Sequence, residues 1–125
     1  MRPKTATLTA HELELMKVIW PHRDGVTVRD VYEELRRRRA IAYTTVMTSM
    51  KTLEQKGYLK STQRERAFVY KPAQPQQTVI RAMVRDFVAR VFNGSARPLV
   101  VHMLEDEQLT EADLRDIRRT IGKKR

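Results

Sequence analysis

Tyr43-Thr44-Thr45-Val46-Met47-Thr48-Ser49-Met50-Lys51-Thr52-Leu53-Glu54-Gln55-Lys56-Gly57 is the stretch on which the fold turns. Val46, Met50 and Leu53 recur at helical spacing and belong on a core face, and Gly57 is a natural helix stop. The opposite face carries Thr45, Thr48, Ser49, Thr52 and Gln55. An ordinary solvated face favours Glu, Lys and Gln, because Thr and Ser are mediocre helix formers. Short hydroxyl side chains instead let a helix come close to a duplex and hydrogen-bond phosphates or base edges.

Two shorter helices precede this segment. Thr9 with Glu12 three residues on forms a capping box, with Leu8 and Leu13 at the staple positions and Leu13, Met16, Ile19 and Trp20 as the apolar face. Pro21 ends that helix, and Gly25 ends the turn that follows. Thr27 and Asp30 repeat the cap, and Val28, Val31, Tyr32 and Leu35 form the second face before a run from Arg36 to Arg39.

After Gly57, the stretches 58–63 and 67–71 read as a hairpin, with Leu59, Phe68 and Tyr70 at alternating positions, a tip of Arg64, Glu65 and Arg66, and Pro72 as its close. Three helices and a basic hairpin are the order of a winged helix-turn-helix, in which the third helix enters the major groove and the wing lies on the backbone or minor groove. Residues 36–72 carry ten Lys and Arg against Glu54 and Glu65. Tyr43, Thr44, Thr45, Thr48, Ser49, Lys51 and Thr52 on the helix, with Arg64 and Arg66 on the wing, form the candidate DNA-contact set.

The remaining chain is helical. Val79, Met83, Phe87, Val88, Val91 and Phe92 form an apolar stripe ended by Asn93-Gly94; an apolar run follows from Pro98 to Leu104, and Thr110 with Asp113 caps a last helix. Roughly 50 residues are too few to bury so many large apolar groups alone. A second copy is therefore expected to cover Val84, Phe87, Val91, Phe92, Leu99, Val100, Met103, Leu114 and Ile117, the alternative being that these helices pack back on the winged domain. The expected class is mainly α with a small β-hairpin, a winged-helix domain over 1–72 followed by a helical dimerisation region over 73–125.

Composition narrows the chemistry. The 125 residues carry 25 Lys and Arg against 15 Asp and Glu, a net charge of +10, which makes nucleic acid the first partner to test. No cysteine is present, so disulfides, thiolate catalysis and cysteine-ligated metals are excluded. His11-Glu12 lacks a second histidine four residues after the first, the four glycines form no phosphate-cradling loop, and Ser49, Ser61 and Ser95 lack a nucleophile-elbow setting. The expectation is a non-enzyme with no metal and no cofactor. With no apolar run near 20 residues and no secretory pattern, it is also expected to be cytoplasmic without membrane insertion.

Leu8-Thr9 and Glu12 leading to Ile19-Trp20, then Tyr43-Thr44-Thr45-Val46, Leu53, Lys56-Gly57, Tyr70-Lys71-Pro72 and Phe92-Asn93-Gly94-Ser95, form an ordered set. In that set the chain resembles the penicillinase-repressor family, often called BlaI/MecI/CopY, over about residues 8 to 121. The resemblance implies a homodimeric winged-helix repressor that dimerises through its C-terminal helices and binds a pseudo-palindromic double-stranded DNA operator with TACA/TGTA-type half-sites. It also implies a further partner, a membrane zinc metallopeptidase sensor that triggers cleavage in the dimerisation region. The family's scissile Asn-Phe pair falls here at His102-Met103, within Leu99-Val100-Val101 and Leu104-Glu105. The copper-responsive branch uses a cysteine-rich motif, which this chain lacks. Two other readings are a ligand-responsive winged-helix regulator and a basic protein that binds RNA or an acidic partner non-specifically. An operator-to-random affinity ratio of about 10³ to 10⁷ separates the main reading from the last.

Overall fold

The computed structural model describes residues 7–124; the first six residues of the expected winged domain lie outside it. Six helices and one hairpin follow in order: α1 (Ala10–Ile19), α2 (Val28–Arg36), α3 (Tyr43–Gln55), β1 (Leu59–Arg64), β2 (Ala67–Pro72), α4 (Gln76–Phe92), α5 (Arg97–Glu105) and α6 (Glu111–Lys124). The mainly α winged-helix architecture read from the sequence is the one observed. The described chain divides into two compact units between Ile80 and Arg81. The division falls inside α4, whereas the sequence reading put it after Pro72. Ala73 N–H donates to Tyr58 O at 2.8 Å, Gln74 Nε2 donates to Gly57 O at 3.1 Å, and Val79 is buried, so chain beyond the hairpin still belongs to the first unit.

In the first unit both expected capping boxes close. Glu12 N–H donates to Thr9 Oγ1 at 3.1 Å and Thr9 N–H to Glu12 Oε1 at 2.9 Å; Thr27 and Asp30 repeat the exchange at 3.1 and 3.0 Å. Each box satisfies two backbone donors at a helix start that lack an intrahelical acceptor. The centre of the core is formed by Leu15, Met16, Ile19, Val31, Leu35, Val46, Met50, Leu53 and Leu59, all fully enclosed. The buried face of α1 is wider than expected, since Leu15 and Val18 are buried while Leu13 is only half-buried. Val46, Met50 and Leu53 hold α3 down as predicted, and burying three such side chains contributes at most about 5 to 9 kcal/mol.

The hairpin is antiparallel, with Leu59 opposite Pro72 and Arg64 opposite Ala67, so Glu65 and Arg66 form a two-residue turn. Glu65 takes a positive φ of 56°, which the turn demands of its first residue. Val26 adds an isolated rung on the other side of β2 that the sequence did not reveal: its N–H donates to Tyr70 O at 2.9 Å, and its carbonyl accepts from Tyr70 N–H at 2.7 Å. Gly25 permits this approach. Its φ is +105°, and a Cβ there would stand 2.3 Å from Val69 Cγ1. Phe68, expected to alternate inward with Tyr70, is 54% exposed because it sits near the ribbon's tip, beyond the core.

In the second unit α4 ends at Asn93-Gly94, both at positive φ, with Gly94 N–H donating back to Val88 O at 3.0 Å. Thr110 and Asp113 close a third capping box, at 2.9 and 3.1 Å. Phe92 meets Phe87 edge-on at 5.8 Å between centroids and His102 at 5.9 Å. From residue 81 to residue 122 no side chain is buried. Among the described residues no helix is long and apolar enough to cross a membrane.

Candidate DNA interface

The exposed face of α3 begins with Tyr43, Thr44 and Thr45 and continues through Thr48, Lys51 and Gln55; Ser49 and Thr52 lie half-buried at its margin. The row of hydroxyls is therefore real. Ser49 differs from its neighbours, because its Oγ is 2.8 Å from His11 Nε2 on α1.

Beside α3 the wing closes one side of a groove. Tyr43, Met47 and Lys51 of α3, Arg29 of α2 and Arg66 and Phe68 of the hairpin line it. Arg64 and Arg66 are both exposed, but only Arg66 reaches this groove. Tyr43 packs edge-on against Tyr32 at 5.4 Å, and the Arg29 guanidinium lies 5.3 Å from the Tyr43 ring centroid. The ring thus positions a cation at the rim. Arg29, Lys51 and Arg66 bring positive charge, and Met47 and Phe68 apolar surface, to the same groove, a combination that fits phosphates and deoxyribose. Arg29, Met47 and Phe68 were missed by the sequence reading; an arginine that meets a tyrosine fourteen positions on leaves no local pattern, but an exposed Phe between basic residues is a readable signal.

The run from Arg36 to Arg39 has a different environment from the wing. Arg36 pairs with Glu33 at 3.1 Å, Arg37 and Arg38 with Glu34 at 3.6 and 3.1 Å, and Arg39 with Glu14 at 2.8 Å. Much of that positive charge is compensated within the protein. Exposed pairs of this kind contribute little to stability, because solvent screens them.

The far end of α3 is anchored by a pair the sequence did not announce. Lys56 Nζ stands 2.7 Å from Glu12 Oε1 and 3.2 Å from Thr7 O, and Glu12 is only 7% exposed. Burial works to raise the Glu12 carboxyl, but the Lys56 ammonium and the Thr9 N–H and hydroxyl outweigh it and hold the group below the usual carboxylate range. Ser61 Oγ donates to Glu54 Oε2 at 2.6 Å, tying β1 to α3. Burial, helped by the Glu54 charge, pushes the Tyr70 hydroxyl above its ordinary value.

The nine residues expected at a dimer contact all lie on the second unit's helices. Val84, Phe87, Val91 and Ile117 are exposed, at 50, 40, 50 and 44%, while Phe92, Leu99, Val100, Met103 and Leu114 are half-buried. Val101 and Ile121 are equally exposed and extend the apolar surface beyond that set. His102 and Met103 lie inside α5, the first exposed and the second half-buried. Among the described residues no three His, Asp or Glu side chains gather closely enough to hold a metal ion.

Comparison with known proteins places the chain in a family. A family model described as "Penicillinase repressor" matches residues 8–123. The penicillinase repressor of Bacillus licheniformis is 30% identical over 114 residues, covering 91% of this chain and 88% of that protein. The transcriptional regulator BlaI of Mycobacterium tuberculosis is 33% identical over 103 residues, 82% of this chain and 75% of its own. Two solution structures are similar to part of this chain: the DNA-binding domain of the repressor BlaI (TM-score 0.53, 32% identity, 61% of this chain and 90% of that one), and monomeric Bacillus licheniformis BlaI in complex with the blaP half-operator (TM-score 0.50, 31% identity, 62% and 89%).

Proposed function

The chain belongs to the penicillinase-repressor family, and from that premise we propose that it is a cytoplasmic homodimeric transcriptional repressor that binds a pseudo-palindromic operator, α3 entering the major groove and the wing lying on the backbone. The observation that carries the reading is the groove shared by α3 and the wing, where Tyr43 and Lys51 of one element and Arg66 of the other line the same basic cleft beside the exposed threonine face of α3. The relative solved with a half-operator is a monomer. Two copies of such a winged unit would read two half-sites, and protein symmetry would match operator symmetry.

The second unit supplies the reason to dimerise. Its helices expose Val84, Phe87, Val91 and Ile117 and enclose no core of their own, so a second copy is the covering the composition calls for. Relief of repression would follow from cleavage at His102-Met103 by a membrane metallopeptidase sensor. Because this bond lies within α5, a protease could engage it only after that helix opens locally. Cutting there detaches α6 with Leu114 and Ile117 and leaves every proposed DNA contact intact.

Footprinting the DNA upstream of the protein's own gene, followed by titration of the protected segment and of random duplex with the parent and Thr45→Glu, tests the reading. The parent is expected to protect a two-fold segment and to prefer it by at least about 10³-fold. Thr45→Glu places a carboxylate against phosphate and is expected to abolish the preference at unchanged melting temperature. A Thr45→Glu protein that binds as the parent does would remove α3 from the interface.

A further inference from the structure

From the contacts around Ser49 we infer that Glu14, Arg39 and His11 act as a relay that positions the Ser49 hydroxyl as a hydrogen-bond donor toward DNA. The inference rests on the reading that α3 faces DNA, and it assigns a role to residues outside the expected contact set.

The relay spans α1, the α2–α3 connection and α3. Glu14 holds Arg39 through both carboxylate oxygens, with Nε at 3.1 and 3.2 Å and Nη2 at 2.8 Å. The hydrogen bond from Arg39 holds the Glu14 carboxyl below its usual range, so the tether is charged at neutral pH. Arg39 Nη2 also lies 3.1 Å from His11 Nδ1. A guanidinium only donates, so Nδ1 must accept, and the imidazole proton must sit on Nε2. Nε2 is 2.8 Å from Ser49 Oγ, so His11 donates and Ser49 accepts. The serine's own proton is then directed away from His11.

A serine within a helix commonly turns its hydroxyl back to the carbonyl four residues earlier. Thr120 does this, donating to Asp116 O at 2.9 Å. Ser49 makes no such bond to Thr45 O among the described residues, and its half-buried position beside exposed Thr45 and Thr48 leaves the hydroxyl at the margin of the presented face. The acceptor it suits is an oxygen or ring nitrogen of DNA. In this arrangement Arg39, within the arginine run, acts through His11 instead of through phosphate.

The test titrates operator and random duplex with full-length Ser49→Ala, His11→Ala, their double variant, His11→Gln and His11→Asn, with Thr45→Glu as reference. Ser49→Ala and His11→Ala are each expected to weaken operator binding about 3- to 10-fold, the loss of one neutral hydrogen bond, and the double variant no further. Glutamine places an amide donor where Nε2 stood and is expected to restore binding to within about twofold, whereas asparagine reaches only the Nδ1 position and is expected to behave like alanine. Equal losses on random duplex identify a phosphate acceptor; losses confined to operator identify a base edge. Should His11→Ala fold poorly, the Gln and Asn pair still discriminates when melting temperatures are read beside binding: the relay predicts that Asn loses operator affinity at the melting temperature of Gln, whereas a merely structural tie loses both together. Multiplying losses, or glutamine and asparagine binding alike, would overturn the relay. Thr45→Glu losing operator while Ser49→Ala and His11→Ala bind normally defeats the relay alone; Thr45→Glu binding normally defeats the reading of α3 beneath it.

Discussion

Lys56→Met breaks the pair that anchors the C-terminal end of α3, and its cost can be worked from the geometry. The ammonium stands 2.7 Å from Glu12 Oε1, with the two side chains 26% and 9% exposed. Removing one partner of a buried pair costs roughly 3 to 5 kcal/mol because the other charge is left uncompensated, and the partial exposure of Lys56 places this case near about 3 kcal/mol. For a unit of this size that corresponds to a melting temperature lower by about 12 to 24 °C. The pH dependence has a definite sign. Glu12 titrates below its ordinary 4.5 in the folded parent, so the pair's contribution is present above that value and is lost as pH falls through the lower folded one. In Lys56→Met, burial without the ammonium penalises the carboxylate, so acidification relieves the variant as it weakens the parent. Thermal unfolding of both proteins from pH 7 to pH 3 is the assay. The gap is expected to be widest at pH 7 and to close in acid, and Glu12→Gln/Lys56→Met to recover most of the loss. A gap under about 1 kcal/mol at pH 7, or one that does not narrow below pH 4.5, would refute this account of the anchor.

Gly25→Ala is expected to cost about 1 to 3 kcal/mol by thermal melting, since the residue's φ is +105° and the new methyl would meet Val69 Cγ1 and the Tyr70 carbonyl; no loss would mean that the Val26–Tyr70 rung is not held by this approach. Arg66→Ala is expected to weaken operator and random DNA together and to lower the salt slope by about 0.9, with a smaller effect from Arg64→Ala, which lies off the groove; equal effects would place the groove away from the backbone. Val84→Glu with Val91→Glu, both at half-exposed positions, is expected to give a monomer in sedimentation with unchanged helix content, and a persistent dimer would move the interface elsewhere.

Much of this was legible because local chemistry decides it. Thr9 with Glu12, Thr27 with Asp30 and Thr110 with Asp113 fix three helix starts through contacts three residues apart, and all three exchanges are present. The α3 pattern was equally plain, since Val46, Met50 and Leu53 fall on one face at the helical period and Thr44, Thr45 and Thr48 on the other. Long-range pairings were not. His11 reaches Ser49 across 38 positions and Lys56 reaches Glu12 across 44, and neither leaves a periodic trace. Leu15 and Val18 were missed on α1 because the core covers more of that helix than a single stripe. The pairing of the arginine run is itself local, since Glu33 and Glu34 stand at the spacings from which a helix pairs Arg36 and Arg38.

The central claim is that two winged units, joined by the second unit's helices, read two half-sites together. Titration of the full chain against the footprinted segment and against a duplex of the same length with one half-site scrambled measures it directly. Joined units predict binding to the intact segment tighter by about 10² to 10⁴, a ratio that collapses toward the single-site value in Val84→Glu/Val91→Glu. Equal affinity for the intact and half-scrambled duplexes would contradict it.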